Sequence, residues 1–292
     1  MKSALVLGSK GLLGSHVAAR LKERYRVVGT RRRHQPPFEM DSCAVDITSY
    51  KEIEDLIKNG KFDLVINCIG ETNIEDCDFH PESSWQVNAT LPYYLAKATL
   101  ISNSRFIHIS TDHFYSEEQR PRAEEVNFTP INHYGNSKFA GDNFVTELNP
   151  TALVVRTNFF GLAVQNKNSL LNFLSKKILA QDHIIGFDDV IFNPLGVAEL
   201  SRIILRLADS NISGILHTAG PNPVTKYEFS KLVASTLDNT SAEISRGSIK
   251  SLGLKVKRPN YLALDGTKLR ALLGISVPSL ESMLREELGT KV

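Results

Sequence analysis

The sequence has only three cysteines, Cys43, Cys68 and Cys77, in 292 residues. Three cannot all pair and their spacing matches no zinc pattern, so neither a disulfide framework nor a metal site is expected; a reducing, cytoplasmic setting is the simpler reading. Net charge is small, +2, which gives no broad basic field for nucleic acid. No run approaches the ~20 apolar residues of a membrane span, and the opening Met1–Leu7 stretch is apolar too briefly for a secretory leader. There is no internal repeat and no low-complexity segment. What is present is 42% hydrophobic and 23% charged, the balance of a chain with a well-formed core. Its length suits one large α/β domain, or a cofactor domain with a smaller lobe.

Through the first two-thirds, short apolar runs alternate with helical patterns. Strands are predicted over Ala4–Leu7, Arg26–Gly29, Ala44–Val45, Leu64–Cys68, Arg105–Ile109 and Ala152–Arg156. Helices are predicted over Leu12–Arg24, Ser49–Lys58, Glu82–Ile101 and Tyr134–Leu148. The alternation predicts βαβ units and a parallel sheet, and right-handed crossovers make it a doubly wound Rossmann fold. Beyond Phe159 the pattern loosens, with helices at Ser169–Ala180, Gly196–Ala208, Lys226–Leu237 and Leu280–Glu287 and one more strand at Gly214–Thr218. The expectation is a dinucleotide-binding domain over residues 1–158, rejoined by 190–220, with a smaller substrate lobe interleaved from 159–189 and 221–292.

The first strand runs into Gly8-Ser9-Lys10-Gly11-Leu12-Leu13-Gly14 and then a helix. Glycines at this spacing make a phosphate cradle: Gly8 for the tight turn, Gly11 for backbone approach to a pyrophosphate, Gly14 for close helix packing. The helix start adds N–H groups and a positive dipole end. A ligand-free glycine turn is the plain alternative, and placement in the first βαβ unit argues against it. Where an NAD-binding chain usually carries Asp or Glu after the second strand, this one has Arg31, Arg32 and Arg33. Guanidinium forks suit a 2′-phosphate, so the expected cofactor is NADP(H).

Tyr134-Gly135-Asn136-Ser137-Lys138 is the sharpest motif. Positions i and i+4 share a helix face, so the phenol and the ammonium point the same way. A phenol titrates near ~10; a neighbouring ammonium and a positive nicotinamide ring lower that value and let Tyr134 exchange a proton with a carbonyl oxygen near neutral pH.

The ordered set of Gly-x-x-Gly-x-x-Gly loop, Ser110-Thr111-Asp112 after a strand, and Tyr-x-x-x-Lys resembles the extended short-chain dehydrogenase/reductase family over nearly the whole chain. Within it, several segments look like the dTDP-4-dehydrorhamnose reductase branch: Ser110-Thr111-Asp112 with Phe114, Pro130 to Lys138 followed by Ala140-Gly141, Thr225-Lys226-Tyr227-Glu228, and Arg258-Pro259 with Leu264-Asp265. The resemblance implies that Thr111, or Ser110 beside it, binds the substrate oxygen next to Tyr134, and that Lys138 holds the nicotinamide ribose. It implies that Lys10, Leu12 and Leu13 line the phosphate loop, that Asp46 and Ile47 contact the adenine, and that Cys68, Ile69 and Gly70 face the cofactor at the switch-point crevice. Asn88 would order the lysine, and Thr157 would lie near the carboxamide. His113, Phe159 and Arg258 would line the substrate pocket, with Arg258 toward a diphosphate.

Plainer roles stand beside several of these: Asp46 as a helix cap (although Ser49 is better placed), Asn88 as helix-surface polarity, Arg258 as a surface residue beside a turn proline. The missing Glu at position 113 argues against a dehydratase, whereas a histidine there leaves an epimerase step open. The function implied is NADPH-dependent reduction of the 4-keto group of a nucleotide-linked 6-deoxy sugar, in a chain that is a homodimer in much of the family. The branch also contains an NADP-binding regulatory subunit of methionine adenosyltransferase, so a binding protein without turnover is the alternative of a different class.

Overall fold

The computed structural model describes residues 1–31, 41–114, 121–125, 129–163 and 169–290. Strand β1 (Lys2–Leu7) is apolar from Ala4 to Leu7 because both of its faces are covered, and those four side chains are fully buried. Such a continuous run is the mark of a central parallel strand. It pairs in parallel with β2 (Tyr25–Arg31) on one side and with β4 (Leu64–Asn67) on the other. Beyond β2 lies β3 (Ser42–Ala44), and beyond β4 lies β5 (Arg105–Thr111), again in parallel. With β6 (Leu153–Thr157) and the strand Gly214–Thr218, the described residues form a seven-stranded sheet. Its order is 214–218, β6, β5, β4, β1, β2, β3. This is the doubly wound α/β fold, and the order reverses direction between β1 and β4, where such sheets bind ligands.

The helices between these strands are α1 (Leu12–Leu21), α2 (Tyr50–Gly60), α3 (Ile74–Phe79), α4 (Pro81–Trp85), α5 (Leu91–Ser102) and α6 (His133–Leu148). Local chemistry fixes their ends. Ser49 caps α2 by accepting from Glu52 N–H, and Asn132 caps α6 by accepting from Gly135 N–H at 2.8 Å; a cap of this kind is worth ~1 kcal/mol. Asn103 ends α5 in the left-handed conformation, φ 54°, as asparagine tolerates at a helix C-terminus. Leu5, Leu7, Ile53, Ile57, Val65, Leu91, Leu95, Phe106, Val145 and Val154 make one continuous core between α2, α5, α6 and the sheet.

Two predicted elements differ in detail. The single helix expected over Glu82–Ile101 is α4 and α5 joined by a π-helical turn, Gln86–Thr90. The short helix α3 was not expected; Asn73 starts it by accepting from Glu75 and Asp76 N–H.

The chain divides into two compact units. The first holds Met1–Thr111, Asn132–Arg156 and Ser201–Leu216; the second holds Asp112–Ile131, Thr157–Leu200 and His217–Val292. The second unit is organised by short pairings: Phe159–Phe160 with Leu195–Gly196, Ile191–Phe192 with Val224–Thr225, and Ile184–Phe187 with Ile244–Gly247. Its helices include Leu170–Leu179, Lys226–Thr236, Thr267–Leu273 and Leu280–Leu288. No helix of the described residues is long and apolar enough to cross a membrane.

Candidate active site

At the end of β1 the chain turns at Gly8, whose φ of +77° lies in the left-handed region. A Cβ there would stand 3.0 Å from the carbonyl carbon and oxygen of Cys68, so the loop backbone presses on the segment after β4. Gly11 N–H donates to Gly8 O at 2.8 Å. A Cβ on Gly14 would stand 2.2 Å from that same oxygen, so α1 can start this close to the loop only with glycine there. Gly11 is the N-cap of α1 and offers no side-chain acceptor to the first-turn N–H groups, which include those of Leu12 and Leu13. That is the arrangement that accepts a phosphate. Lys10 is exposed at the loop tip. Thr30, not anticipated from the sequence, ties the loop to β2: its hydroxyl accepts from Gly8 N–H at 3.3 Å and its carbonyl from Ser9 Oγ at 3.4 Å.

Arg31 is the last residue of β2, half-buried, in register with Ala44 of β3. Arg32 lies outside the described residues. Asp46 follows β3, and its Oδ1 accepts from both Thr48 N–H at 2.9 Å and Thr48 Oγ at 2.7 Å, so this carboxylate shapes the turn into α2 while Ser49 caps the helix. Ile47 packs at the rim of the core.

Tyr134, Lys138 and Asp142 fall at i, i+4 and i+8 on α6 and are all buried. The Lys138 ammonium donates to Ile109 O at 2.9 Å. Burial lowers its pKa to about 8, against the opposing pull of Asp142 and Cys68. Asp142 in turn accepts from Arg156 Nε at 2.8 Å, with both side chains fully buried. Asn88 sits in the π-helical turn and is fully buried, so it is not surface polarity. Its Nδ2 donates to Ser137 Oγ at 3.1 Å and to Glu71 O at 3.0 Å, and its Oδ1 accepts from Glu71 N–H at 2.9 Å. Asn88 therefore braces α6 at Ser137, between Tyr134 and Lys138, and clamps the segment after β4.

A Cβ on Gly141 would be 2.2 Å from Asn88 O, so glycine sets how closely α6 approaches that turn. A Cβ on Gly70 would come within 3.5 Å of Asn88 Oδ1 and 4.0 Å of Lys138 Nζ. Gly8, Cys68, Ile69, Gly70, Asn88 and Lys138 thus follow one another along the C-terminal edge of the sheet. Thr111, the last residue of β5, is buried at the same edge, as is Ser110, whose hydroxyl has no hydrogen-bond partner among the described residues.

The remaining predicted residues belong to the second unit. His113 Nδ1 stands 3.3 Å from Asp112 Oδ1, and Asn158 Nδ2 donates to Asp112 Oδ2 at 2.6 Å. Thr157 is buried beside Asn158. Phe159 is half-buried at the start of its short strand, and Phe160, Phe229 and Phe192 stack edge-to-face with centroids 5.3 and 5.4 Å apart. Over the Phe192 ring, 3.3 Å from its centroid, stands Lys226 Nζ. Burial lowers the Lys226 pKa to about 8, with Asp112 pulling the other way. The sequence marked this segment only through its resemblance; a cation seated on aromatic rings has no spacing signature. Arg258 is half-buried beside the buried Pro259.

A glycine phosphate loop at the switch point and a buried Tyr-x-x-x-Lys helix on a doubly wound sheet define a dinucleotide-binding protein of the short-chain dehydrogenase/reductase class. The chain matches the family model described as the RmlD substrate binding domain over residues 1–291, and it belongs to that family. It is 32% identical over 286 residues to the probable low-salt glycan biosynthesis reductase Agl14 of Haloferax volcanii, covering 96% of this chain and 95% of that one. It is 28% identical to a dTDP-4-dehydrorhamnose reductase of Mycobacterium tuberculosis, over 93% of this chain and 87% of that one. It is 25% identical to methionine adenosyltransferase 2 subunit beta of Bos taurus, over 93% and 82%. Its fold matches a crystal structure of dTDP-4-dehydrorhamnose reductase from Bacillus anthracis in complex with NADP, with a TM-score of 0.88, 24% identity and 100% of both chains covered.

Proposed function

We propose that this chain is an NADPH-dependent reductase of the 4-keto group of a nucleotide-linked 6-deoxy sugar. The observation that carries the reading is the Tyr134/Lys138 pair, buried on α6 with the lysine fastened to the end of β5, in a family whose curated relatives include reductases. The first unit takes the cofactor and carries Thr111, Tyr134 and Lys138. The cradle fits a dinucleotide: Gly14 admits no side chain and the start of α1 has no side-chain cap, and Arg31, at the end of β2, would be the cation for a 2′-phosphate. When bound, NADPH supplies the hydride.

Every other step falls to the chain. The loop glycines and the start of α1 would hold the pyrophosphate and Lys138 the ribose, and the lysine charge would favour the phenolate form of Tyr134. Tyr134 gives its proton to the carbonyl oxygen that Thr111 aligns, and a carbonyl becomes an alcohol. In the second unit, Lys226, seated over the Phe192 ring, offers a donor to a sugar hydroxyl. The reaction belongs in the cytoplasm, where the three free cysteines are stable.

Following NADPH absorbance with a panel of nucleotide-linked 4-keto-6-deoxy sugars tests the reading: oxidation with at least one supports it. Tight NADPH binding without turnover on any of them would favour the alternative reading as an NADP-binding regulatory subunit. Two variants probe the two units. Arg31→Glu should shift the NADPH-over-NADH preference toward NADH by about 10- to 100-fold, the worth of one charge-assisted contact, as read from the two dissociation constants. Lys226→Met should raise KM for the sugar about 10-fold with NADPH affinity unchanged; an unchanged KM removes Lys226 from the sugar site.

A further inference from the structure

Behind Lys138 lies a fully buried histidine, His108 on β5, which the chemistry above does not use. Its tautomer follows from its neighbours. Ile69 N–H donates to Asn67 Oδ1 at 3.0 Å, which fixes the orientation of the Asn67 amide. Asn67 Nδ2 is then the atom 3.1 Å from His108 Nδ1, and it must donate. With Nδ1 accepting, a neutral imidazole carries its proton on Nε2. The ring is neutral, because burial and the Lys138 charge hold its pKa well below the usual histidine range. The Nε2–H end lies 3.5 Å from Lys138 Nζ and 3.9 Å from Asp142 Oδ1. That Asp142 oxygen is buried and has no hydrogen-bond partner among the described residues.

An N–H end facing an amine opposes the ammonium, which has only donors to offer, and suits the neutral amine, which accepts. We infer that His108 is a positioning residue that lowers the proton affinity of Lys138, with Asn67 holding the tautomer required. A neutral Lys138 nitrogen can accept from that N–H, 3.5 Å away, whereas a charged Lys138 leaves it only Asp142 Oδ1, 3.9 Å away, to face. The other groups facing Lys138 do not substitute for this. Cys68, after β4, is a neutral thiol whose pKa burial pushes up to about 12. Asp142, on α6 itself, favours the charged lysine but is already paired with Arg156 of β6. Ile109 contributes a carbonyl, and Tyr134 lies on the same helix face. Burial already lowers the Lys138 pKa to about 8, and the His108 contact adds to it, so that Lys138 exchanges protons near neutral pH as a relay from solvent to Tyr134 needs. That consequence rests on the catalytic reading of Lys138, but the test below does not.

The test is an NMR titration of the protein labelled with 13C at lysine Cε, the Lys138 signal being assigned by its loss in Lys138→Met. In the native chain Lys138 should titrate well below the other lysines. In His108→Phe, which keeps a ring of similar size, its midpoint should rise by about one unit or more, a ~10-fold gain in proton affinity. Asn67→Leu releases the tautomer and should move the midpoint in the same direction, so the inference remains testable if either variant fails to fold. A folded variant that leaves the midpoint in place, or lowers it, overturns the inference. Loss of keto-sugar turnover in the native chain would instead count against the proposed reductase and leave this result standing.

Discussion

Tyr134→Phe should give a folded protein that binds NADPH as tightly as the native chain and reduces its keto sugar roughly 10^2- to 10^4-fold more slowly, the usual worth of a positioned acid. The residue is only 7% exposed, and phenylalanine keeps its ring, its packing on α6 and the Asn132 cap two residues before it. Only the oxygen is lost. Lys138 still donates to Ile109 O, and Asn88 still braces Ser137, so the lysine proposed to hold the ribose stays in place. The measurement is single-turnover reduction beside an NADPH binding titration. A fall in kcat without a fall in affinity assigns the proton to Tyr134, whereas a parallel loss of both would show that the phenol serves the cofactor site instead.

Gly14→Ala should be nearly as damaging by a different route. The added Cβ would sit 2.2 Å from Gly8 O and 2.8 Å from Gly8 C, both backbone atoms of a turn held by the Gly11-to-Gly8 hydrogen bond. Neither can swing aside as a flexible side chain would, so the start of α1 must move away from the loop. Overpacking of this kind costs about 1–3 kcal/mol, and here the moved atoms are the N–H groups offered to the phosphate. NADPH affinity should fall about 10- to 100-fold, and the melting temperature should drop by several degrees. Calorimetric titration and thermal melting check both; wild-type affinity in a destabilised variant would mean that the cofactor does not depend on the start of α1.

Much of this was readable in advance, because each legible feature is local. β1 announces itself as a continuous buried run, the glycine loop sits at fixed offsets, and Tyr134 and Lys138 are one helical turn apart. Asp142 was equally legible one turn further on, at i+8, and was missed because an acid on a helix more often faces water. The π-helical turn was not legible. One residue more per turn over Gln86–Thr90 leaves no mark on the apolar pattern, yet it is this turn that carries Asn88 to Ser137 and Glu71. His108 and Asn67 were not legible as a pair for another reason: one lies between two isoleucines of β5 and the other ends β4, and the contact between β4 and β5 that gives them meaning is set by the sheet. The two-residue pairings of the second unit are too short to show any period, and Lys226 gains its place over Phe192 only through one of them.

Hydride transfer to a sugar carbonyl is tested most directly by tracing the hydride. The protein would be incubated with NADPH deuterated at the transferable nicotinamide C4 position and a nucleotide-linked 4-keto-6-deoxy sugar that it accepts, and the product examined by NMR. One deuterium should appear at the former carbonyl carbon, in a single configuration. A sugar converted without deuterium, or NADPH bound tightly with no label leaving it on any sugar of the panel, would contradict the reductase reading.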